Sequence, residues 1–396
     1  MMKKLGLLAF ILGLVIAFAM PALAFTIEGA KGEKMYIGGT ILTDIGAWSR
    51  SKELIAGVPG STALSDRTEF YDNVLLHSVL HGTVEVGPAG MLWEFGMGEN
   101  RNPSELLGAN TSYVETRLLY GWYNFGNCQI LAGKNHGQLY SVVPWQTMGV
   151  WQGHVYGFGW GSIYDQRNAQ IRFTQNVTKQ VGWQISLVDP DQYADAAASP
   201  ANKNSYTYLP QVDAKVSLNF GMVALYPAFG YQYVKWDNVA PGFDDNVQSW
   251  FAVLPVVVKA AGFTGTIQAG YGQNTDAFLT FQSGFTKYGR DASGKVKNTT
   301  TLNGFVDLAY TFGPATPHLY FGYDNEKNSD IYGKLPNSDD NNTRMMYGAS
   351  INYNVAGPFY IIPEFTYYDY GKSPILANKP DIGKEWIGGV QFRFVF

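Results

Sequence analysis

Gln211-Val-Asp-Ala-Lys-Val-Ser-Leu-Asn-Phe220 alternates apolar and polar side chains without a break. Successive side chains of an extended chain point to opposite faces. Val212, Ala214, Val216, Leu218 and Phe220 therefore share one face, and Gln211, Asp213, Lys215, Ser217 and Asn219 the other. Period two marks a strand lying between two different environments. Residues 344–355 repeat it, with Met345, Tyr347, Ala349, Ile351, Tyr353 and Val355 on the apolar face. Residues 301–312 set Asn303, Asp307 and Thr311 opposite Leu302, Val306, Leu308, Tyr310 and Phe312.

Extended along the chain, this alternation predicts sixteen strands, near 35–48, 68–86, 91–99, 111–125, 128–136, 167–175, 181–188, 210–220, 222–236, 248–260, 263–273, 300–312, 317–326, 343–355, 359–370 and 384–396. Short turns alternate with long polar loops between them. The turns are rich in Gly, Asn and Pro, as at Gly87-Pro-Ala-Gly90, Gly126-Asn127 and Ala356-Gly-Pro358, and these residues supply tight-hairpin angles. A sandwich has no reason to alternate so strictly; a transmembrane barrel does. Aromatic residues recur beside the short turns (Trp122, Tyr123 and Phe125; Phe220; Tyr310 and Phe312; Phe359 and Tyr360), as in an interfacial girdle.

Composition agrees. Charged residues are 15% of the 396, below the roughly 25% of soluble domains, while aromatics reach 15% and glycines number 45. Mean hydropathy is nevertheless slightly negative. That is too little charge for a soluble globule and too little apolarity for a helical membrane protein. The net charge of −4, with no basic run, argues against nucleic acid as a partner. Cys128 is the sole cysteine, so no intrachain disulfide forms. Lys3 and Lys4, an apolar run over 5–20 and Ala22-Leu23-Ala24 make residues 1–24 a secretory signal peptide. Residues 25–396 are then one barrel domain in a bacterial outer membrane.

In hydrocarbon every backbone N–H and C=O must be paired internally, which only helices and closed barrels achieve. Sixteen strands leave an aqueous lumen. Because a cation facing lipid at mid-depth costs about 2–4 kcal/mol, charged residues are assigned to the lumen. Glu115 and Arg117 share a face opposite Val114, Leu118, Tyr120 and Trp122; Arg172 opposes Ile171 and Phe173; Glu364 opposes Ile361, Phe365 and Tyr367. Lys215, Asp307 and Arg393 join them by parity. One strand disagrees: 248–260 sends Phe251, Val253, Pro255 and Val257 to the lumen face with Lys259. Either a loop packs there or a bulge shifts the register.

The last strand alternates Trp386, Gly388, Val390, Phe392, Phe394 and Phe396 with Ile387, Gly389, Gln391, Arg393 and Val395. It resembles the assembly signal of outer-membrane barrels, with Phe392, Phe394 and Phe396 as its aromatic face. The mature chain as a whole resembles the homotrimeric general diffusion porins of Gram-negative bacteria. Gly133-Lys134-Asn135-His136-Gly137 is similar to the Gly-Arg-Asn run with which such porins begin their third external loop. The resemblance implies a third loop, 137–166, folded into the barrel, with Lys134 on the basic wall of a constriction. It also implies a homotrimer, delivery by the barrel-assembly machinery, and passive diffusion of small hydrophilic solutes and ions. The loop departs from the family in acidity: only Asp165, at its far end, is acidic, while Trp145, Trp151, Tyr156, Phe158 and Trp160 suit packing against a wall. A basic ring without its acidic counterpart favours anions.

No nucleophile elbow, phosphate loop or Cys/His cluster is present, so no enzyme and no cofactor is expected. His77 and His81 with Glu85, and Asp339-Asp340-Asn341-Asn342, suit polar lumen and loop positions better than metal sites. The alternatives to a general porin are a substrate-specific channel and a non-conducting adhesive or structural barrel.

Overall fold

The computed structural model describes residues 25–30, 32–56, 65–75, 77–100, 111–148, 156–163, 167–190, 205–206, 209–236, 239–278, 288–338 and 340–396. The signal peptide expected over 1–24 lies outside the described residues. Sixteen barrel strands follow the sequence order. They are β1 (Lys34–Arg50), β2 (Arg67–Val74 and Val79–Val86), β3 (Ala89–Asn100), β4 (Thr111–Phe125), β5 (Cys128–His136), β6 (Arg167–Asn176), β7 (Val181–Val188) and β8 (Gln211–Asn219). Then come β9 (Val223–Leu225 and Ala228–Trp236), β10 (Asn246–Ala260), β11 (Phe263–Gln273), β12 (Thr300–Tyr310), β13 (Ala315–Lys327), β14 (Asn341–Ala356), β15 (Phe359–Asp369) and β16 (Lys384–Val395).

Each strand pairs antiparallel with the next, and β16 returns to β1 along 385–395 against 40–50. The sheet is closed, which removes its edges. The C-terminus lengthens this seam: Gly39 N donates to Phe396 O at 2.6 Å, and Phe396 N to Gly39 O at 2.9 Å. Below it, Phe25–Glu28 takes the same edge of β1 against residues 34–37. No helix is long and apolar enough to cross a membrane.

The two faces separate as the alternation requires. Ile171, Ile185, Leu187, Leu254, Ile267, Leu302, Leu308, Leu319 and Ile351 are exposed outward. Asp213, Ser249, Gln268, Asn303, Asp307, Glu364 and Gln391 are buried inside. Aliphatic outside and polar inside inverts a soluble protein and is the arrangement of a transmembrane barrel. Around the short-turn end, Tyr123, Phe125, Phe220, Tyr310 and Phe312 are exposed, and Phe359 stacks outside on Phe394 at 4.5 Å.

Three local readings are corrected. The strand expected over 68–86 is interrupted between Val74, which pairs with Thr43, and Val79, which pairs with Thr40: Leu75 N donates to Leu42 O, and buried Ser78 takes Leu42 N on its hydroxyl. In β4 the ladder steps from Glu94↔Leu118 to Phe95↔Thr116, so Arg117 is an extra residue. A bulge reverses parity beyond it: Leu118 is buried while Leu119, Tyr123 and Phe125 are exposed, and Tyr120 and Trp122 turn to the lumen. Trp122 leaves the girdle for that reason. Tyr360 leaves it because it neighbours outward Phe359 and pairs with inward Arg393.

Two predictions follow from this frame. Ile267→Arg, facing out near the middle of β11, should cost about 2–4 kcal/mol in urea titrations of vesicle-folded protein, whereas Thr266→Arg on the inner face should cost little. The second concerns the external hairpin that pairs residues 289–290 with 296–297. Asp291 accepts hydrogen bonds from Ser293 Oγ and N and from Lys295 N, which hold its carboxyl down at about 2. A depressed carboxyl contributes stability above its ordinary pKa near 4 and loses it as pH falls through about 2. The protection of the Ser293 and Lys295 amides, taken relative to their intrinsic exchange rates at each pH, should therefore fall as pH drops between those limits and be flat above pH 5.

Candidate functional site

β5 ends at His136, and the chain there leaves the wall for the interior. His136 stacks on Tyr140 at 4.4 Å, and Gln138 N reaches Asp213 Oδ2 of β8 at 3.4 Å. Leu139 and Ile163 bury completely against Phe251 and Val253 of β10 and Phe278 of a neighbouring loop. This accounts for the apolar lumen face of β10. Loops pack on it, and its ladder with β11 runs without a register shift.

The loop then crosses to the opposite wall. Trp145 N donates to Asp307 Oδ2 of β12, and Ser350 Oγ of β14 donates to Trp145 O at 3.0 Å. Glu364 of β15 accepts from Thr147 N (2.7 Å), Thr147 Oγ1 (2.9 Å), Met148 N (3.1 Å) and Gln146 Nε2 (3.2 Å). Gln391 Nε2 of β16 donates to Thr147 O at 2.9 Å. Farther along, Gly161 N donates to Asp324 Oδ2 at 2.8 Å, and Arg344 Nη2 to Gly159 O at 2.6 Å. Trp160 is fully buried against Tyr368 and Tyr370. Gly322 makes this approach possible: a Cβ there would lie 1.8 Å from Trp160 O. An acceptor-only carboxylate binding several N–H groups is a strong directional anchor.

The predicted site residues accordingly divide. Asp307 and Glu364 face inward as expected, but both are buried under the loop and serve as its anchors rather than as water-facing charge. Arg117, on its bulge, donates from Nε to Glu94 at 2.7 Å and lies 3.9 Å from Glu115; Arg167 also reaches Glu115, at 3.6 Å. Arg172 faces in, donating to Gln170 Oε1 at 2.8 Å, Ser186 Oγ at 3.2 Å and the His136 carbonyl. Lys215 faces in, on the parity of buried Asp213. Arg393 faces in from β16, with its guanidinium over the Trp145 ring.

Lys134 is corrected. Its ladder partners are Leu119 and Ala169, both on the exposed outer face, while flanking Asn135 is buried inside. The pleat therefore puts Lys134 outside, where its Nζ takes Thr116 O at 2.7 Å beside the point where the third loop leaves the wall. Sequence reasoning missed Asp324, Arg344, Gly322 and His318. Strict parity along 317–326 would have put His318, Gly322 and Asp324 on one face. His77 packs edge-on to Tyr156 at 5.2 Å, and the described residues hold no group of three His, Cys, Asp or Glu suited to a metal. Asp340 pairs with Lys327 at 3.0 Å; Asp339, Trp151 and Asp165 lie outside the described residues.

No family model and no curated protein matches the chain. Solved structures do. The outer membrane channel DcaP of Acinetobacter baumannii is 12% identical with a TM-score of 0.67, over 93% of this chain and 99% of that one. OmpF of Salmonella typhi is 12% identical with a TM-score of 0.57, over 93% and 100%. An anion-selective porin from Comamonas acidovorans is 8% identical with a TM-score of 0.55, over 92% and 100%. The chain has the fold of the outer-membrane porins.

The anchors are open to test. Glu364→Gln should raise hydrogen exchange at Thr147 and Met148 by about tenfold or more, the loss of roughly 1–3 kcal/mol of charge-assisted bonding, with the strands unchanged. Gly322→Val should displace residues 159–161 and leave the barrel folded, as read by unchanged β-sheet circular dichroism.

Proposed function

We propose that the chain is a bacterial outer-membrane porin through which small hydrophilic solutes and ions diffuse passively. The observation that carries this reading is the closed wall whose outer face is aliphatic and whose inner face is polar, crossed by a loop docked on inward side chains. Such a wall needs hydrocarbon outside and water inside. The likeness to a channel and to porins supports the same reading at the level of fold.

Several finer elements belong to it. Residues 1–24 are removed on export, leaving Phe25–Glu28 as the first paired segment of the mature chain. The outward Phe392, Phe394 and Phe396 are read by the barrel-assembly machinery, and three copies associate. Anion preference is part of the proposal: the described loop residues carry no acid, the wall acids Asp307 and Glu364 are covered, Glu94 and Glu115 are paired with Arg117 and Arg167, and Arg172, Lys215 and Arg393 remain on the inner face. A purely adhesive barrel would not need a loop held across its interior by so many buried polar bonds.

Planar-bilayer recording is the test. Purified protein should insert in discrete conductance steps that grow linearly with potassium chloride concentration, and a salt gradient should give a reversal potential of anionic sign. Saturating conductance would favour a substrate-specific channel. Absence of steps would remove the channel reading.

A further inference from the structure

Trp145 lies on the folded-in loop, fastened through its N–H to Asp307 and through its carbonyl to Ser350. His318 stacks on its indole at 5.3 Å and 16°. The Arg393 guanidinium carbon lies 4.9 Å from the ring centroid. Arg393 and His318 come from β16 and β13, near the short-turn end of the barrel, and Arg393 is only half-buried, so the lumen can reach it. Arg393 Nη2 donates to Gln391 Oε1 at 3.1 Å, and Gln391 in turn donates to Asp44 and to Thr147 O. Among the described residues no carboxylate forms an ion pair with Arg393. Its Nε is buried without an acceptor, and so is Trp145 Nε1.

Buried donors nearly always meet an acceptor. Here two donors, one cationic, stay unmet within a single stack. Asp307 does not serve them, because its oxygens are turned to Trp145 N and to His318 Nδ1, 3.0 Å away. The Trp145 ring and the bond to Gln391 also hold the guanidinium in place, so less side-chain freedom remains to be lost when a ligand arrives. A planar guanidinium edge offers directional N–H groups that match the paired oxygens of a carboxylate or phosphate better than a spherical halide.

Resting on the channel reading above, we propose that Arg393 and Trp145 form an oxyanion subsite on the lower lumen wall, which takes the carboxylate or phosphate group of a passing solute. Chloride crosses the same wall with only the general attraction of positive charge. An oxyanion lingers there and slows the chloride behind it.

The test uses full-length protein in planar bilayers, with acetate or inorganic phosphate added to a potassium chloride bath on the short-turn side. Wild type should show a reversible, concentration-dependent fall in chloride current with both probes, or with one of them, which identifies the group preferred. Arg393→Gln should weaken that block by about tenfold, and Arg393→Lys, which keeps the charge but not the planar fork, should fall between. Trp145→Phe keeps the ring and removes one donor, so its block, measured as a fraction of that variant's own chloride current, should also weaken. Heat-modifiable gel mobility checks folding, and Trp145→Phe carries the comparison if Arg393→Gln does not fold. Conducting wild type without block, or block unchanged in the folded variants, overturns the subsite and leaves the channel standing. A wild type that does not conduct overturns the channel reading itself.

Discussion

Hydrocarbon offers a peptide group nothing to bond to, so a sheet placed in it must close on itself. Every other feature of this molecule follows from that closure. The ladder from β16 to β1 finishes with Phe396 bonded to Gly39, and a strand that closes in this way has one lipid face and one lumen face fixed by its pleat. Side chains on the outer face have only to be apolar. Those on the inner face must be satisfied by water, by each other or by chain sent back inside.

The third loop is the chain sent back inside. It does not fill the lumen as an oily plug. Its root is apolar, with Leu139 and Ile163 on Phe251, while its far part is tied by carboxylates on the wall: Glu364 on 147–148, Asp307 on Trp145 and Asp324 on Gly161. Porin-like acidity is therefore present but redistributed. The acids stand on the wall beneath the loop, and the loop covers them. Arg172, Lys215 and Arg393 also stand on the inner face, so under the proposed reading the docking chemistry bears on ion preference.

Much of this was legible in the sequence, for a reason that also marks where legibility ended. A strand between lipid and water repeats every two residues, so the sixteen strands, their turns and the inward course of Asp213, Arg172 and Arg393 could be read from alternation alone. The apolar lumen face at Phe251 and Val253 was visible as an exception, though not its cause, because Leu139 and Phe278 are remote in sequence. The bulge at Arg117 was not legible: an extra residue leaves no mark in composition, yet it turns Tyr120 and Trp122 inward. Lys134 shows the reverse error. Motif likeness found the right strand, but the pleat decides the face, and its neighbours Leu119 and Ala169 lie outside. The interior anchors escaped because a carboxylate bound to loop N–H groups looks, in sequence, like any other lumen acid.

Cysteine scanning along β8 measures the division of faces most directly. In a Cys128→Ser background, with the protein in lipid vesicles, single cysteines at 214, 215, 216 and 217 would be exposed to a membrane-impermeant thiol reagent. Fast labelling is expected at 215 and 217, with protection at 214 and 216. Equal labelling at all four, or the opposite alternation, would contradict that division.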